Sequence, residues 1–566
     1  MSVPPFSPPL RRRVVRAPLS AVGMALAAPG YVIAMTPSLL PRPIGLLIVL
    51  ASVGAALGYA VGASIGWAWR KLPITSSRQL HGSLRLILIV IAWIPALIFT
   101  PIAINWQLEQ QFELDMPGTL ASTLIVLLAS LAFGLVLIAI ARSIRLGTNS
   151  LARLATAIPP LWRWTTGRGP QRQYRRVMIV RVTATLIVIL LFNSAIGLGF
   201  NRLLASYEAI NADTSGQSQD ELGANSGSTG SLTPWESLGR EGRFFVSNTM
   251  QPSEISAITK TPARTPIRLY VGVDQAPSPQ ERSDLAVKEL DRTRAWDREY
   301  LAIIALTGTG WVEPDAINSL ETVTSGDIAS IGVQYSAVPS WIGFLVDQET
   351  TQIQNADTIH TIIEAWRTHP VDHRPKLVLF GESLGAFGSQ AAWNSSSTPA
   401  DVLADLSSVI WIGPPAGSVL WKAWQADRTA GPAWQPVIGD GSAARVFISS
   451  EELLTASAPA GKSIAIAAHP NDPVVYWSWD LLFNRPDWID PPLGPGVDPN
   501  IRYSWIITCL QVGMDLVSGG EPPEVGHNYI GASGPAIALT LSPPGWTKAK
   551  TIAMQEALAK YRYMTG

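Results

Sequence analysis

Five long apolar segments lie in the first 201 residues of this 566-residue chain, and they constrain its fold more than any other feature. A mainly apolar stretch of about 20 residues is long enough to cross a bilayer as a helix. We therefore predict an N-terminal bundle of about five transmembrane helices over residues 1–201. The first segment is interrupted by Pro29-Gly30, and the third is somewhat short for a span. The segments cover roughly residues 17–40, 44–69, 86–104, 119–141 and 177–200.

Charge divides the chain at the end of these segments. Residues 1–201 carry 18 Lys+Arg and 3 Asp+Glu, whereas residues 202–566 carry 24 and 39. The basic residues flank the apolar segments, which argues against nucleic-acid binding. They gather before the first segment, between the second and third, and between the fourth and fifth. This alternation follows the positive-inside rule for a cytoplasmic N-terminus, so everything after about residue 201 is predicted to lie outside the cytoplasm at the plasma membrane.

Composition changes again after the last apolar segment. Residues 211–233 are rich in Gly, Ser, Thr, Asn and Gln, which predicts a flexible extracytoplasmic tether within residues 202–240. Residues 241–566 then alternate short apolar runs with helical patterns, which is typical of a parallel sheet covered on both faces. Predicted strands cover residues 267–273, 301–306, 330–335, 377–380, 409–412 and 464–467, and an amphipathic helix covers residues 280–292.

A short turn, Gly381-Glu382-Ser383-Leu384-Gly385, follows one of these strands. A strand that enters Gly-x-Ser-x-Gly and leaves into a small-residue helix is typical of a nucleophile elbow, and Leu384 N–H is then one oxyanion donor. Asp472 follows a later strand and His527 lies in a later loop, which is the chain order of an α/β-hydrolase triad. A second oxyanion donor is expected from Gly308 or Thr309, in the Gly-rich loop after the strand at 301–306.

Each of these assignments has an alternative. The same five-residue pattern occurs at Gly62–Gly66, inside an apolar stretch whose glycines recur every four residues and indicate close helix packing. The base is His527 or His469, because the other four histidines precede Ser383 in the chain. The acid is Asp472, with Asp480 and Asp487 as substitutes, since Asn-Asp-Pro is also a common turn.

The sequence predicts no metal and no cofactor. It has no cluster of His, Cys, Asp and Glu with zinc-ligand spacing, and the Gly-rich loop at 307–311 lacks the Gly-Lys-Ser/Thr that a phosphate-binding loop requires. Its single cysteine, Cys509, excludes an intrachain disulfide and is expected to be a buried apolar residue.

Nearly the whole chain resembles a family of bacterial, chiefly actinobacterial, α/β-hydrolase membrane proteins with an N-terminal multi-helix domain. The motifs that carry the resemblance are Ser38–Pro43, Ser237–Arg243, Thr307–Trp311, Gly381–Gly385, His469–Val475 and Gly526-His527. The resemblance implies an integral membrane serine hydrolase. Related membrane hydrolases are linked to removal of aminoacyl groups from lipids, so the expected partner is a lipid-linked ester.

Three other functions are compatible with these residues. An acyltransferase would use the same acyl-enzyme with another acceptor. A hydrolase-like domain without activity could serve binding or structure. A transporter or lipid flippase is disfavoured, because the first four apolar segments hold almost no ionisable residues at mid-membrane.

Overall fold

The computed structural model describes residues 19–69, 82–118, 122–157, 170–219, 223–517 and 521–559. The chain divides into two compact units, and each is described separately below. The first comprises residues 1–112 and 117–203, and the second comprises residues 113–116 and 204–566. The basic clusters at 11–16, 70–78 and 163–168, on which the predicted orientation partly rests, lie outside the described residues.

The first unit is helical. Among the described residues, four helices are long and apolar enough to cross a membrane: Ile44–Trp69, Ser83–Glu113, Thr123–Ile144 and Thr185–Ala212. The predicted first span is instead a 14-residue apolar helix, and a helix of that length rises only about 21 Å against the roughly 30 Å of a bilayer core. Of the roughly five predicted spans, four are therefore long helices, and the first segment, which contains Pro29-Gly30, is a shorter helix. Helices α1 to α5 are Ala21–Ala34, Ile44–Trp69, Gly82–Glu113, Thr123–Ala157 and Pro170–Ala212.

The first two helices pack closely through glycine. A Cβ atom at Gly54 or Gly58 of α2 would collide with backbone carbonyl oxygens of α1, at Gly30 and Leu26. The close-packing face predicted from the four-residue glycine spacing is thus confirmed. Ser64, the serine of the second Gly-x-Ser-x-Gly copy, lies inside α2 and not on a strand-to-helix turn.

The segment predicted to be a flexible tether is ordered where the structure describes it. Ser226 N–H donates to Arg268 O (3.1 Å), and Arg268 N–H donates to Asn225 Oδ1 (2.9 Å). The polar side chains of this segment therefore satisfy the outer edge of the first β-strand, which would otherwise expose unpaired backbone groups. Buried Arg243 donates to the carbonyl oxygens of Asn211, in the last turn of α5, and of Asp213, directly after α5. The Arg243 guanidinium therefore binds backbone carbonyl oxygens at the end of α5.

The second unit is an α/β domain. Its strands are β1 (Ile267–Val271), β2 (Tyr300–Ala305), β3 (Ile328–Val333), β4 (Lys376–Glu382), β5 (Ser408–Ile412), β6 (Ala444–Phe447) and β7 (Ser463–Ala467). Helices α6 to α19 are Gly239–Ser247, Pro252–Thr259, Pro279–Arg292, Pro314–Val323, Ser340–Val346, Gln348–Thr368, Leu384–Gln390, Pro399–Val402, Val419–Ala426, Ser450–Thr455, Pro473–Tyr476, Trp505–Asp515, Ser533–Leu541 and Lys548–Leu558. Six of the seven strands and helix α8 coincide with predicted elements.

The strands form one sheet in the order β1-β3-β2-β4-β5-β7-β6, and all pairs are parallel. Nearly every residue of the central strands is buried, because helices cover both faces. This confirms the predicted fold class. The carboxyl ends of parallel strands meet at one edge, so the loops after β2, β3, β4, β5 and β7 converge there. That edge carries the predicted site residues.

Candidate active site

Ser383 stands on a sharp turn between β4 and α12. Its backbone has φ 51° and ψ −119°, a conformation that residues other than glycine rarely adopt. The turn is supported by Ser383 N–H, which donates to Ile412 O of the neighbouring strand β5 (2.8 Å). Gly385 is needed because a Cβ atom there would collide with the carbonyl oxygen of Ala305 at the end of β2. The geometry is that of a nucleophile elbow.

The Ser383 hydroxyl meets a histidine from a distant loop. His527 Nε2 lies 2.9 Å from Ser383 Oγ, although 144 residues separate the two in the chain. The other nitrogen, His527 Nδ1, lies 2.7 Å from Asp472 Oδ2. Because a carboxylate only accepts hydrogen bonds, Nδ1 carries the proton and Nε2 presents a lone pair to the serine. The structure thus brings together the three residues that the sequence predicted as a triad.

The Asp472 carboxylate is fixed by a contact other than the one to His527. It is fully buried, and its Oδ1 accepts the N–H of Val474 (2.8 Å) as the N-cap of α16. The two substitutes lie elsewhere and are exposed: Asp480 faces Lys422 and Asp487 pairs with Arg428. Of the three carboxylates considered, only Asp472 contacts the imidazole.

His469, the alternative base, has a different environment. It is buried, and its Nδ1 lies 2.9 Å from Gly526 O, an acceptor that requires the proton on Nδ1. Burial also lowers the pKa of His469 and keeps the ring neutral. Asn471 Oδ1 accepts the N–H of Gly526 (3.1 Å). His469 and Asn471 therefore hold the loop that presents His527.

Of the predicted oxyanion donors, Leu384 directly follows Ser383, whereas Gly308 and Thr309 lie in the loop after β2. Leu384 is the first residue of α12, so its N–H has no acceptor within the helix. Gly308 follows β2, the strand whose end contacts Gly385, and a Cβ atom there would collide with the backbone at Ser340. Gly310 N–H donates to Thr307 O (2.8 Å), which closes the Gly-rich loop around Gly308 and Thr309.

Two residues of the site escaped the sequence analysis. Gly413, directly after β5, has φ +54°, and a Cβ atom there would lie 2.7 Å from His527 Cε1. Its position directly after the predicted strand at 409–412 was the only sequence feature that could have placed it at the site. Tyr529 lies two residues after His527 and donates its hydroxyl proton to Asp472 Oδ2 (2.8 Å). Nothing in its sequence context indicates that contact.

The carboxylates around His527 determine when it can act as a base. Burial alone would lower its pKa, but the charge and hydrogen bond of Asp472, with the charges of Glu382 and Glu521, outweigh burial and raise the pKa above 6.5. A protonated imidazole cannot accept the serine proton. Reactivity of Ser383 should therefore be complete above this raised pKa and fall as the pH drops through it.

Glu382 is a second titrating group beside the nucleophile. Burial, opposed by the charge of His527 and assisted by that of Asp315, raises the pKa of its carboxyl to about 7. Among the described residues, its buried Oε2 has no hydrogen-bond partner. The part of the chain that the structure describes contains no group of three or more His, Cys, Asp or Glu residues that could hold a metal ion.

A parallel sheet covered by helices, with a serine on the turn after its central strand and Asp and His on later loops, defines the α/β-hydrolase class. Here it is joined to helices of membrane-spanning length. Residues 267–554 match the family described as "Alpha/beta-hydrolase family", and residues 35–249 match "Alpha/beta-hydrolase family N-terminus". The chain belongs to this family, which confirms the resemblance of its motifs and indicates a hydrolase at a membrane. No curated protein and no solved structure gave a match.

Proposed function

We propose that this protein is a membrane-embedded serine esterase that cleaves lipid-linked esters through an acyl-enzyme on Ser383. The observation that carries the proposal is the continuous contact from Ser383 Oγ through His527 to Asp472, at 2.9 and 2.7 Å. A serine hydroxyl is a weak nucleophile until a positioned base takes its proton, and the base needs a partner that fixes its tautomer. This arrangement supplies both.

The reaction proceeds in two steps. Ser383 Oγ attacks the ester carbonyl while His527 Nε2 takes its proton, and the oxyanion is stabilised by Leu384 N–H and a donor from Gly308 or Thr309. The carbon–oxygen bond to the alcohol breaks as the imidazolium protonates the leaving oxygen. His527 then takes a proton from water, which attacks the acyl carbon. The bond from that carbon to Ser383 Oγ breaks as the imidazolium returns the proton to Oγ, which releases the carboxylic acid and restores the free enzyme.

A lipid substrate is supported by the aromatic residues at the carboxyl edge of the sheet. Helices α10 and α17 both contact Trp477, in the segment after β7: the Phe344 and Trp477 rings lie 5.8 Å apart, and Trp477 Nε1–H donates to Cys509 O (3.1 Å). We call the exposed rings on these segments the aromatic rim; they are 57 to 75% exposed. The rim consists of Trp341, Trp479, Phe483 and Trp505. Such rings suit the headgroup region of a bilayer or an apolar lipid tail.

The aromatic rim should affect the hydrolysis of lipid esters but not that of small water-soluble esters. We expect the double variant Trp479→Ala/Trp505→Ala to raise the apparent KM for a lipid ester in mixed micelles by about tenfold, because apolar contact with the lipid is lost. kcat/KM for a small water-soluble ester should stay within about twofold. Val371→Ala is the control, since Val371 is 79% exposed but precedes β4 at the opposite edge of the sheet. Equal losses on both esters would contradict a lipid-binding role.

A cationic acyl group would suit the charge around the nucleophile. When ionised, Glu382 and Glu521 add negative charge at His527 beyond that of Asp472, although burial raises the pKa of both carboxyls. An ester of an amino acid with a lipid alcohol carries an ammonium group close to the scissile carbonyl, where these carboxylates would attract it. Aminoacyl lipids are therefore the first substrates to test, beside neutral acyl lipids of the same headgroup.

The proposed substrate-facing domain lies outside the cytoplasm. The positively charged loops of the first unit support this orientation. We expect a membrane-impermeant maleimide to label Asp372→Cys in intact cells, in a Cys509→Ser background, because the Asp372 side chain is 80% exposed in the second unit. A cysteine in place of Ser76, in the predicted cytoplasmic loop, should be labelled only after permeabilisation. The reverse pattern would overturn the orientation.

The proposal as a whole is tested on the full chain in detergent micelles. Fluorophosphonate should label the wild-type protein, and mass spectrometry should locate the adduct on the peptide that contains Ser383. A labelled lipid ester should give the free acid, whereas a new ester would identify an acyltransferase. Absence of both labelling and turnover across these esters would argue for a non-catalytic domain.

A further inference from the structure

The buried carboxylate of the site receives a third hydrogen bond that the Ser-His-Asp scheme does not use. Tyr529 Oη lies 2.8 Å from Asp472 Oδ2, the same oxygen that meets His527 Nδ1. Val474 N–H occupies the other oxygen. Asp472 therefore accepts three hydrogen bonds, from the Val474 N–H, from His527 Nδ1–H and from the Tyr529 hydroxyl.

The direction of the phenol hydrogen bond is fixed by its second partner. His469 N–H donates to Tyr529 Oη (3.0 Å), and a backbone N–H can only donate. The single proton of the phenol is thus left for Asp472. Burial, reinforced by the charge of Asp472, raises the pKa of Tyr529 well above its ordinary value, so the hydroxyl keeps this proton throughout the neutral range.

The ring of Tyr529 is fixed as well. It stacks on the His469 ring at 4.0 Å with 12° between the planes, and it meets the His527 ring edge-on at 5.5 Å. His469 in turn binds Gly526 O, next to His527. The strand-end residues and the His527 loop are therefore joined through Tyr529, which contacts both the acid and the base.

We propose that Tyr529 is a positioning residue of this site: its hydroxyl holds the Asp472 carboxylate oriented toward His527 Nδ1, a role that rests on the proposed function of Ser383. A hydrogen bond to a charged group contributes more than one between neutral groups. By sharing the negative charge of Asp472, the phenol also moderates the pull of that charge on the His527 proton. Tyr529 thereby limits how far the acid raises the basicity of the imidazole.

Several titratable groups face His527 and contribute to the pH dependence of Ser383 reactivity. These are Asp472 beneath it, Glu382 from the end of β4, Glu521 from the preceding loop, and the neutral His469 ring. Only Asp472 contacts Tyr529 through a side-chain hydrogen bond. Loss of the hydroxyl therefore acts on the charge at His527 through Asp472. It also removes the acceptor of the His469 N–H, an effect on stability that thermal unfolding measures.

The test compares Tyr529→Phe with Tyr476→Phe in the full chain in detergent. Tyr476 is a buried phenol on α16, the helix that Asp472 caps, and among the described residues its hydroxyl has no hydrogen-bond partner. Phe keeps both rings, so the stack on His469 and the fold are retained, which thermal unfolding checks. The rate of fluorophosphonate labelling is measured from pH 5 to 9.

We expect Tyr529→Phe to slow labelling at pH 8 by about tenfold, because the Asp472 carboxylate loses the donor that orients it toward His527. The acid limb should also move upward by about half a pH unit, because the unshared carboxylate charge holds the His527 proton more tightly. Tyr476→Phe should match the wild type in both. A Tyr529→Phe profile that coincides with that of Tyr476→Phe, or a slower rate with an unmoved acid limb and a lower Tm, overturns the inference. Absence of wild-type labelling overturns the proposed function and this inference together.

Discussion

Replacement of Ser383 by alanine should abolish covalent labelling by fluorophosphonate and reduce ester hydrolysis to the assay background. Removal of the nucleophile from a Ser-His-Asp hydrolase lowers kcat by on the order of 10⁶. The loss should appear in kcat, because Oγ forms its bond in the transition state. Binding of a lipid ester, measured by equilibrium dialysis of micelles, should change little.

The chain contains its own control for this experiment. Ser64 occupies the same Gly-x-Ser-x-Gly pattern but lies inside membrane helix α2, so Ser64→Ala should label and hydrolyse like the wild type. Because Ser383 has φ 51°, Ser383→Gly provides a second inactive variant without a side chain in that strained conformation. Labelling that persists in Ser383→Ala would remove Ser383 from the mechanism.

Asp472→Asn should lower kcat by about 10⁴ while changing KM little. The amide keeps the shape of the carboxylate, but it cannot satisfy the donors from His527, Tyr529 and Val474 with acceptors alone. The imidazole then adopts the wrong tautomer or orientation, and the charge that stabilises the imidazolium is lost. Steady-state hydrolysis of a water-soluble ester measures the effect without interference from lipid binding.

Asp480→Asn and Asp487→Asn are the matched controls. Both carboxylates are exposed and face surface cations, Lys422 and Arg428, and exposed ion pairs contribute about 0–1 kcal/mol. Their kcat values should stay within about twofold of the wild type. A loss at either position comparable to that of Asp472→Asn, or near-normal activity of Asp472→Asn, would show that another group orients His527.

The central strands could be predicted from the sequence because parallel strands buried on both faces are continuous apolar runs. Leu377–Phe380 and Ile464–Ala467 are such runs, and both lie within strands of the sheet. The missed strand, Ala444–Phe447, is a four-residue edge strand interrupted by Arg445. A short strand at an edge needs only one buried face, so its sequence carries little apolar signal.

Polar composition was a poor guide to the segment before β1. Gly, Ser and Asn in residues 211–233 are typical of a linker, yet Asn225 and Ser226 bind the backbone of the edge strand β1. The same side chains that keep a free chain soluble are suitable hydrogen-bond partners for an exposed strand. Composition cannot distinguish the two, because the distinction depends on whether an edge lies within reach.

The amino-acid sequence by itself determined the membrane helices, the parallel sheet and the chain order of Ser383, Asp472 and His527, because apolar periodicity and a glycine-bounded turn are local properties. Only the tertiary structure decided between His527 and His469, and only it revealed the contacts of Gly413 and Tyr529 with the site. Those choices depend on loops that follow different strands and meet at the carboxyl edge of the sheet, so the distances between them are set by strand order and packing.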